Sequence, residues 1–524
     1  MTKISGRIEK SFLNIVTAIF GQMFSFILSF VIRTVFIKTL GDSYLGLNGL
    51  FSNLLSVLNL TELGFGTAIV IELYRTVERN DNEKTNQYLQ FYKKAYYIIG
   101  LSILVIGLVI IPFLHYFIND IESVKMINYK LIFIFYLINT TFSYFFFAYR
   151  ISIIIANQAE YKIRVITYIF KTIEMTLQII FLLLYKNIYF YLIIPIILGC
   201  ICELIKGIFI GKWYPYIKIK PQSRLSKQEL RVTFRNIFSV ALYKISGVIM
   251  TSSNNILISS FISIIVTGLY SNYVILVASI DTILYKVFSA FTASIGNLNI
   301  TAEKDINKKY QIFKTISFMN FWVYGFCSAC FIVLFHPFIK IWLNENYLLN
   351  QFTEYIIVFN FLIAGLQETV ATHRAAYGLF YKGRYRPIFS IIINVVSSIV
   401  FVRILPAEFG IVGILLGSIL SNLAVSWWFD AYIVHKYAFK RSPKSFYVTF
   451  WWRVLYVSVN CLTLKWICWY VSISPEWNVI ISLLICVIMY NGIFILCFHR
   501  KDEFQYLWKS GSYLISRRKT AKYS

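Results

Sequence analysis

Charged residues are scarce in this chain. Only 14% of its 524 residues are Asp, Glu, Lys or Arg, whereas 58% are hydrophobic and the mean hydropathy is +0.66. Soluble domains are about a quarter charged and about half apolar, so a soluble core could not bury this much apolar surface. The composition excludes an ordinary soluble protein and predicts an all-α, polytopic membrane protein.

Features of a cleaved signal peptide are missing. The N-terminal stretch MTKISGRIEKSFLNIVTAIF begins basic, but its apolar run is longer than a signal peptide requires, and no small-residue cleavage site follows. We therefore expect a retained first helix.

The eight cysteines are not accompanied in the sequence by the further ligands that a zinc site requires. Cys327 and Cys330 have the C-x-x-C spacing, but no second pair and no histidine at zinc spacing accompanies them. All eight lie inside apolar segments, as Cys200 and Cys202 do, which favours small buried hydrophobic side chains. No metal is expected.

Catalytic outside loops and a phosphate-binding loop are also missing from the sequence. The predicted outside loops are short, the longest lying around 117–130 and 337–352, and they leave no room for the catalytic loops of membrane glycosyltransferases and polymerases. No glycine-rich phosphate-binding loop occurs, which argues against ATP-driven pumping. We expect a protein that is not an enzyme and that holds no cofactor.

Long apolar runs dominate what is present. Runs of 18 or more apolar residues indicate membrane-spanning helices, and about fourteen can be placed. The predicted helices are 11–37, 45–73, 91–117, 128–156, 163–185, 188–211, 233–262, 265–296, 312–336, 353–379, 387–404, 410–434, 448–471 and 476–498.

Positive charge is concentrated on one predicted side of the membrane. The formal net charge is +26, and with the N-terminus inside, most of the 50 Lys and Arg fall in inside segments. The richest stretches are 206–235 and the tail after 499. We interpret these charges as determinants of membrane topology and as contacts with lipid headgroups, and not as a nucleic-acid binding surface. Both termini are expected in the cytoplasm, with Trp451 and Trp452 as an interfacial anchor.

An internal repeat divides the chain. At a shift of about 222 residues, LGLNGLFSNLL (45–55) overlies TGLYSNYVILV (267–277), so that Gly46 meets Gly268. Two parallel six-helix repeats are typical of transporters that bind substrate between their halves and rock around it. The predicted domains are a first repeat (1–211), a cytoplasmic linker (212–232), a second repeat (233–434), two appended helices (435–498) and a basic cytoplasmic tail (499–524).

Polar side chains recur at helical spacing inside the apolar segments. The predicted helix 11–37 carries one such face, and 45–73 carries another that ends at Glu62. The predicted helices 233–262, 265–296 and 353–379 carry further polar groups. Any one of these groups can simply form an interhelical hydrogen bond. Together they favour a central hydrated cavity between the repeats. The residues chosen as lining it are Gln22, Ser29, Arg33, Asn59, Glu62, Lys244, Asn255, Asp281, Lys286, Glu368 and Arg374.

The charges in this set indicate the kind of ligand. Four of the residues, Arg33, Lys244, Lys286 and Arg374, are basic, and an unpaired cation in a low dielectric is stabilised by an anion. Arg and Lys also recognise phosphate. We therefore predict that these four bind an anionic substrate. The three acidic residues, Glu62, Asp281 and Glu368, either pair with these cations or couple transport to H⁺ or Na⁺.

The stretch from Arg33 to Tyr74, with its LGDSYLGLNGLF and LNLTELGFGTAI segments, resembles bacterial polysaccharide repeat-unit flippases of the Wzx type. These proteins transport O-antigen, capsule and exopolysaccharide units and form the PST family of the MOP superfamily. The fourteen helices and the repeat extend the resemblance over the whole chain as architecture.

The resemblance implies a plasma-membrane flippase that works by alternating access. Its cargo would be an undecaprenyl-pyrophosphate-linked oligosaccharide unit, moved from the inner to the outer leaflet. Membrane lipids and polysaccharide polymerase machinery are the other expected partners. Two alternatives within the superfamily stay open: a lipid II flippase, and a multidrug or ion antiporter.

Overall fold

A computed structural model gives the structure of the chain. It describes residues 17, 21, 24–59, 65–119, 125, 127–157, 159–292, 295–296, 298, 305–470 and 474–509. Throughout these ranges the regular secondary structure is helical, with no β-strand.

The helices of the first half, up to the linker, are α1 (24–40), α2 (Asp42–Leu58), α3 (Phe65–Glu78), α4 (Asn82–Ile110), α5 (Tyr129–Phe145), α6 (Ile151–Ala156), α7 (Glu160–Tyr185) and α8 (Ile188–Trp213). The helices that follow are α9 (Lys227–Phe261), α10 (Ile264–Ser289), α11 (Ile306–Leu343), α12 (Gln351–Gly365), α13 (Glu368–Ala376), α14 (Arg386–Ile404), α15 (Gly410–Ser421), α16 (Trp428–Ile433), α17 (Lys444–Trp469), α18 (Pro475–Ile485), α19 (Asn491–Phe498) and α20 (502–509).

Nine helical segments in the described ranges are long and apolar enough to cross a membrane. The other five predicted spans correspond to α1, α2 with α3, α5 with α6, α9, and α17. These five are shorter, more polar or only partly described. The structure thus agrees with the prediction of an all-α polytopic membrane protein.

The repeat is visible in how the helices begin. Asp81 caps α4 and Asp305, 224 residues later, caps α11, each accepting a hydrogen bond of 2.9 Å from the backbone N–H three residues on. Asn128 and Asn350, 222 residues apart, cap α5 and α12. A side-chain cap pairs backbone donors that the first helical turn leaves unpaired. Equivalent helices therefore start with the same chemistry in both halves.

Two predicted spans are interrupted at equivalent places. The span predicted at 128–156 ends as α5 at Phe145 and resumes as α6, while the span predicted at 353–379 ends as α12 at Gly365, 220 residues later, and resumes as α13. A freed carbonyl needs a partner, and the Asn320 side chain donates to the Gly365 oxygen at 3.0 Å. Interrupted helices in matching positions of two repeats often line a transport site.

Other boundaries differ in ways that proline and π-turns explain. The helix predicted at 312–336 continues through Pro337 to Leu343, because an apolar helix tolerates a proline that costs it one hydrogen bond. The segment predicted at 410–434 extends to Phe439 through π-helical turns at Asn422–Trp427 and Val434–Phe439.

The chain forms two compact units, residues 1–272 and 273–524. The division lies within α10, because α9 packs against α2 and α3 and the start of α10 lies against α2, all in the first unit. In the second unit, α14 packs along α15 through small polar side chains; Ser398 donates to the Ile414 carbonyl at 2.9 Å and Ser421 to the Ser390 carbonyl at 2.6 Å. The predicted domain limits at 211 and 232 stay predictions.

Acidic and amide side chains hold the linker before α9 against the start of α4. The Glu83 carboxylate accepts from the backbone N–H of Gln222 at 2.8 Å, and Asn86 donates to the Tyr216 carbonyl at 2.8 Å. Lys84 forms an ion pair with Glu229, whose pKa is lowered by its hydrogen bonds with Lys84 and Ser226. The linker is therefore fixed to the first repeat.

Helices α2 and α10 approach each other closely at two glycines of the first unit. A Cβ atom on Gly46 would overlap the carbonyl oxygen of Ile264, and one on Gly268 would lie 3.1 Å from the backbone nitrogen of Gly46. These two glycines are the pair that the sequence repeat aligns. The close crossing therefore requires glycine at Gly46 and leaves little room for a side chain at Gly268.

We predict that Gly46→Ala lowers the free energy of unfolding by about 1–3 kcal/mol, because the added methyl group meets backbone that cannot rotate away. The matched control is Gly247→Ala in α9, where a Cβ meets nothing within 4 Å. Thermal unfolding in detergent measures both. Equal stability of the two variants would contradict the close crossing.

Candidate functional site

Arg33 lies on α1, buried to 8% exposure. Its Nε donates to the Asn272 side-chain oxygen at 3.0 Å, and its Nη2 donates to the hydroxyl of Ser271. Across the described ranges no carboxylate lies within 4 Å of its guanidinium. Arg33 is therefore a buried cation bound to neutral groups.

Donors outnumber acceptors around Arg33. Asn272 is fully buried and uses its oxygen for Arg33, while its Nδ2 finds no hydrogen-bond acceptor in the described structure. A buried donor without an acceptor costs about 1–3 kcal/mol. A cation beside such a donor favours a ligand that brings negative charge and acceptor oxygens.

A second arginine lies at the interruption between α5 and α6. The Arg150 Nη1 donates to the Gly207 carbonyl of α8 at 3.0 Å, and its guanidinium lies 4.3 Å from the Phe147 ring centroid. As with Arg33, no carboxylate within 4 Å pairs with it in the part of the chain that the structure describes. The break in the helix thus places a cation beside carbonyl and aromatic partners.

The second unit contains a buried cluster of two arginines and one carboxylate. Arg374 of α13 and Arg386 at the start of α14 both donate to the same Asp430 oxygen, Arg386 at 2.9 Å. All three side chains are 13% exposed or less. Asp430 lies in α16 between the two π-helical segments, a distortion that is frequent at functional sites. The cluster carries a formal charge of +1.

Two predicted acidic residues lie near this cluster. The Tyr324 hydroxyl donates to Asp281 of α10 at 3.1 Å. Glu368, at the start of α13, lies within electrostatic range of both Asp281 and Arg374. The fold therefore brings three of the predicted site residues, Asp281, Glu368 and Arg374, into one region of the second unit.

The remaining predicted residues differ in their hydrogen-bond partners. Ser29 donates to the Ser25 carbonyl of its own helix at 2.7 Å, and Asn59 accepts from the Tyr144 hydroxyl at 3.4 Å. These two side chains make structural hydrogen bonds. Asn255 is buried in α9 and its Oδ1 finds no donor in the described structure.

The basic residues of α9 and α10 complete the set. Lys286 is partly buried near the end of α10, and Lys244 lies in α9. Gln22 and Glu62 lie outside the described residues. The pair Lys171 and Glu174, interpreted from their spacing as structural, is an ion pair of 2.6 Å.

Sequence reasoning missed Arg150, Arg386 and Asp430. Arg150 and Arg386 lie at helix ends, where basic residues first indicate topology. Asp430 could have been found as an acidic residue in an apolar run, which favours a buried partner of opposite charge. In the described ranges no three His, Cys, Asp or Glu side chains come together as a metal site would require.

Comparison with solved structures identifies the fold. A lipid II flippase MurJ in an inward closed conformation aligns with a TM-score of 0.66 at 15% identity, over 93% of this chain and all of that one. An inward-facing multidrug resistance MATE family transporter of the MOP superfamily aligns at 0.59 and 14% identity, over 83% and 94%. A MATE transporter of Vibrio cholerae, VcmN, aligns at 0.53 and 15%, over 81% and 96%.

The chain has the MOP-type fold of these transporters. No family model matches the sequence, and no curated protein matches it. The predicted fold class, an all-α polytopic membrane protein of the MOP type, is thus confirmed, while identities of about 15% leave the cargo to be argued from the residues.

We predict that Asp430→Asn destabilises the second unit by about 3–5 kcal/mol, because two buried arginines lose their shared counterion. Glu345→Gln is the matched control; it removes one carboxylate from an exposed ion pair with Lys340 and should leave unfolding almost unchanged. Chemical denaturation in detergent measures both, and equal effects would contradict a buried cluster.

Proposed function

We propose that this protein is a flippase of the plasma membrane. It translocates undecaprenyl-pyrophosphate-linked oligosaccharide repeat units from the inner to the outer leaflet by alternating access, with both of its termini in the cytoplasm. A pyrophosphate is a strong multivalent acceptor, and arginine is well suited to binding it.

The observation that carries the proposal is Arg33. It is 8% exposed and hydrogen-bonded only to neutral groups among the described residues, next to the unpaired Nδ2 of Asn272. Protein stability alone gives no reason to retain a buried cation without a counterion. A cargo that carries phosphate supplies the missing charge when it binds.

Arg150 and the Arg374 cluster add to the argument. Arg150 lies at the interruption between α5 and α6 and has no carboxylate within 4 Å among the described residues, while Arg374 and Arg386 both bind the Asp430 carboxylate. A multidrug exporter of organic cations would need acidic side chains at such places. The basic side chains at these places support an anionic cargo instead.

The choice between a glycan carrier and a lipid II carrier rests on sequence. The fold supports both, since a lipid II flippase is among the aligned structures. The segments LGLNGLF and LNLTELGFGTAI resemble the polysaccharide flippases and support a repeat-unit cargo.

Asp281 and Glu368 are proposed to couple transport to an ion gradient. The two carboxylates are close enough to repel each other when both are ionised, and a proton or Na⁺ would relieve this repulsion. Tyr324 fixes Asp281 from α11.

We predict that Arg33→Gln and Arg150→Gln each slow transport about tenfold or more, because each removes a charged hydrogen-bond donor to phosphate. The measurement is accumulation of polyprenyl-pyrophosphate-linked glycan in cells that lack the wild-type chain. Lys212→Gln, at an exposed lysine of α8, is the control and should transport normally.

Three outcomes would decide the cargo. Build-up of lipid-linked glycan that wild type relieves and the arginine variants do not relieve supports the proposal. Build-up of lipid II alone would favour the lipid II alternative. No build-up of either lipid, in a strain without a second flippase, would overturn both.

We predict that Asp281→Asn abolishes the stimulation of transport by a proton or sodium gradient while cargo still binds. The matched variant is Asp305→Asn, at a helix cap, which should keep the stimulation because Asn is an equally good cap. Flipping in proteoliposomes with each gradient imposed in turn measures both. Full stimulation of Asp281→Asn would remove it from coupling.

A further inference from the structure

A cavity of about 260 Å³ lies in the second unit, and none of the residues that line it is among those proposed to bind cargo. Its walls come from the start of α11, the start of α17 and the chain at the end of α19. The side chains that define its chemistry are Lys314, Thr449, Trp452, Arg453, Lys501 and Glu503.

The charge of this cavity is unbalanced. Lys314, Arg453 and Lys501 supply three positive charges, and Glu503 supplies one negative charge. Glu503 lies 3.6 Å from the Lys314 amine, so it compensates that lysine first. A net charge of two is left over, which favours an anionic ligand.

Arg453 is held in place while part of its guanidinium stays available. Its Nη1 donates to the Ser317 carbonyl at 3.1 Å and to the Ser317 hydroxyl at 2.6 Å, and its guanidinium lies 5.3 Å from the Phe321 ring centroid. No carboxylate within 4 Å pairs with it in the described ranges. Ser317 therefore orients Arg453 without neutralising it.

The surroundings place this cavity at a membrane interface. Trp452 is 55% exposed and its neighbour Trp451 is 41% exposed, and tryptophans concentrate at the headgroup level of bilayers. The hydroxyls of Ser445 and Thr449 also line the cavity. Cations and hydroxyl donors at headgroup depth suit a phosphate group.

We propose that this cavity binds the phosphate group of an anionic membrane lipid. Under the topology proposed above the cavity opens at the inner leaflet. The site shares no lining residue with Arg33, Arg150 or the Arg374 cluster, so the inference can be tested independently of the identity of the cargo.

The test uses the purified full-length chain and three probes: short-chain phosphatidylglycerol, short-chain phosphatidylcholine and inorganic phosphate. Native mass spectrometry gives the affinity for each probe. The wild type should prefer phosphatidylglycerol over phosphatidylcholine, because only the former carries net negative charge.

Variants that remove one charge at a time should change the affinity in opposite directions. Lys314→Gln, Lys501→Gln and Arg453→Gln should each weaken phosphatidylglycerol binding about fivefold. Glu503→Gln should strengthen it, because the one acid among the described lining residues loses its charge. Lys227→Gln, at an exposed lysine that begins α9, is the control and should bind as the wild type does. Lys314 is 51% exposed, so its variant should fold even if Arg453→Gln does not.

Opposite shifts for the lysine variants and for Glu503→Gln support the proposal. If inorganic phosphate binds as tightly and shifts in the same way, the phosphate site stands but its ligand is a soluble phosphate, which overturns the lipid assignment. Equal affinity for the two lipids, or no shift in any variant, overturns the site.

Discussion

Most of this structure follows from the cost of placing charge inside an apolar chain. A charged side chain at the centre of a membrane costs about 2.5–3.5 kcal/mol on insertion scales, so each one must face a partner or a hydrated space. The Asp430 carboxylate forms ion pairs with two arginines, Arg374 and Arg386. Arg33 meets this requirement only with the neutral groups of Ser271 and Asn272 among the described residues, so hydrogen bonds alone, without a counterion, stabilise its buried charge there.

The internal repeat determines where these charged side chains lie along the chain. Matching caps start α4 and α11, and matching interruptions follow α5 and α12. An interruption frees backbone carbonyls inside the membrane, and polar side chains such as Asn320 and Arg150 then donate to carbonyls nearby. The same interruption in both units therefore places a polar or basic side chain beside irregular backbone.

Much of the fold was predictable because its cause is local. Apolar run length locates the helices, and capping residues such as Asn128 and Asn350 fix where some of them begin. Helix ends were less predictable where the chain departs from simple rules. Pro337 does not stop α11, and π-turns lengthen the segment that holds Asp430, since neighbouring helices supply partners that no local pattern reveals.

The candidate site was predictable in kind more than in detail. Charge and helical spacing were enough to choose Arg33, Asp281, Glu368 and Arg374, because a charge in an apolar run is conspicuous by itself. The same spacing also chose Ser29 and Asn59, whose hydrogen bonds are structural. Spacing shows which face a residue occupies, but not what packs against that face.

The sequence by itself determined that this protein is an all-helical, repeated, strongly basic membrane protein, because hydropathy, periodicity and charge are properties of consecutive residues. Only the tertiary structure decided which charges are paired. Arg374 and Asp430 lie 56 residues apart, and Arg33 and Asn272 lie 239 apart. Whether a cation pairs with a carboxylate or is held by neutral groups depends on contacts over such separations, which the folded chain alone creates.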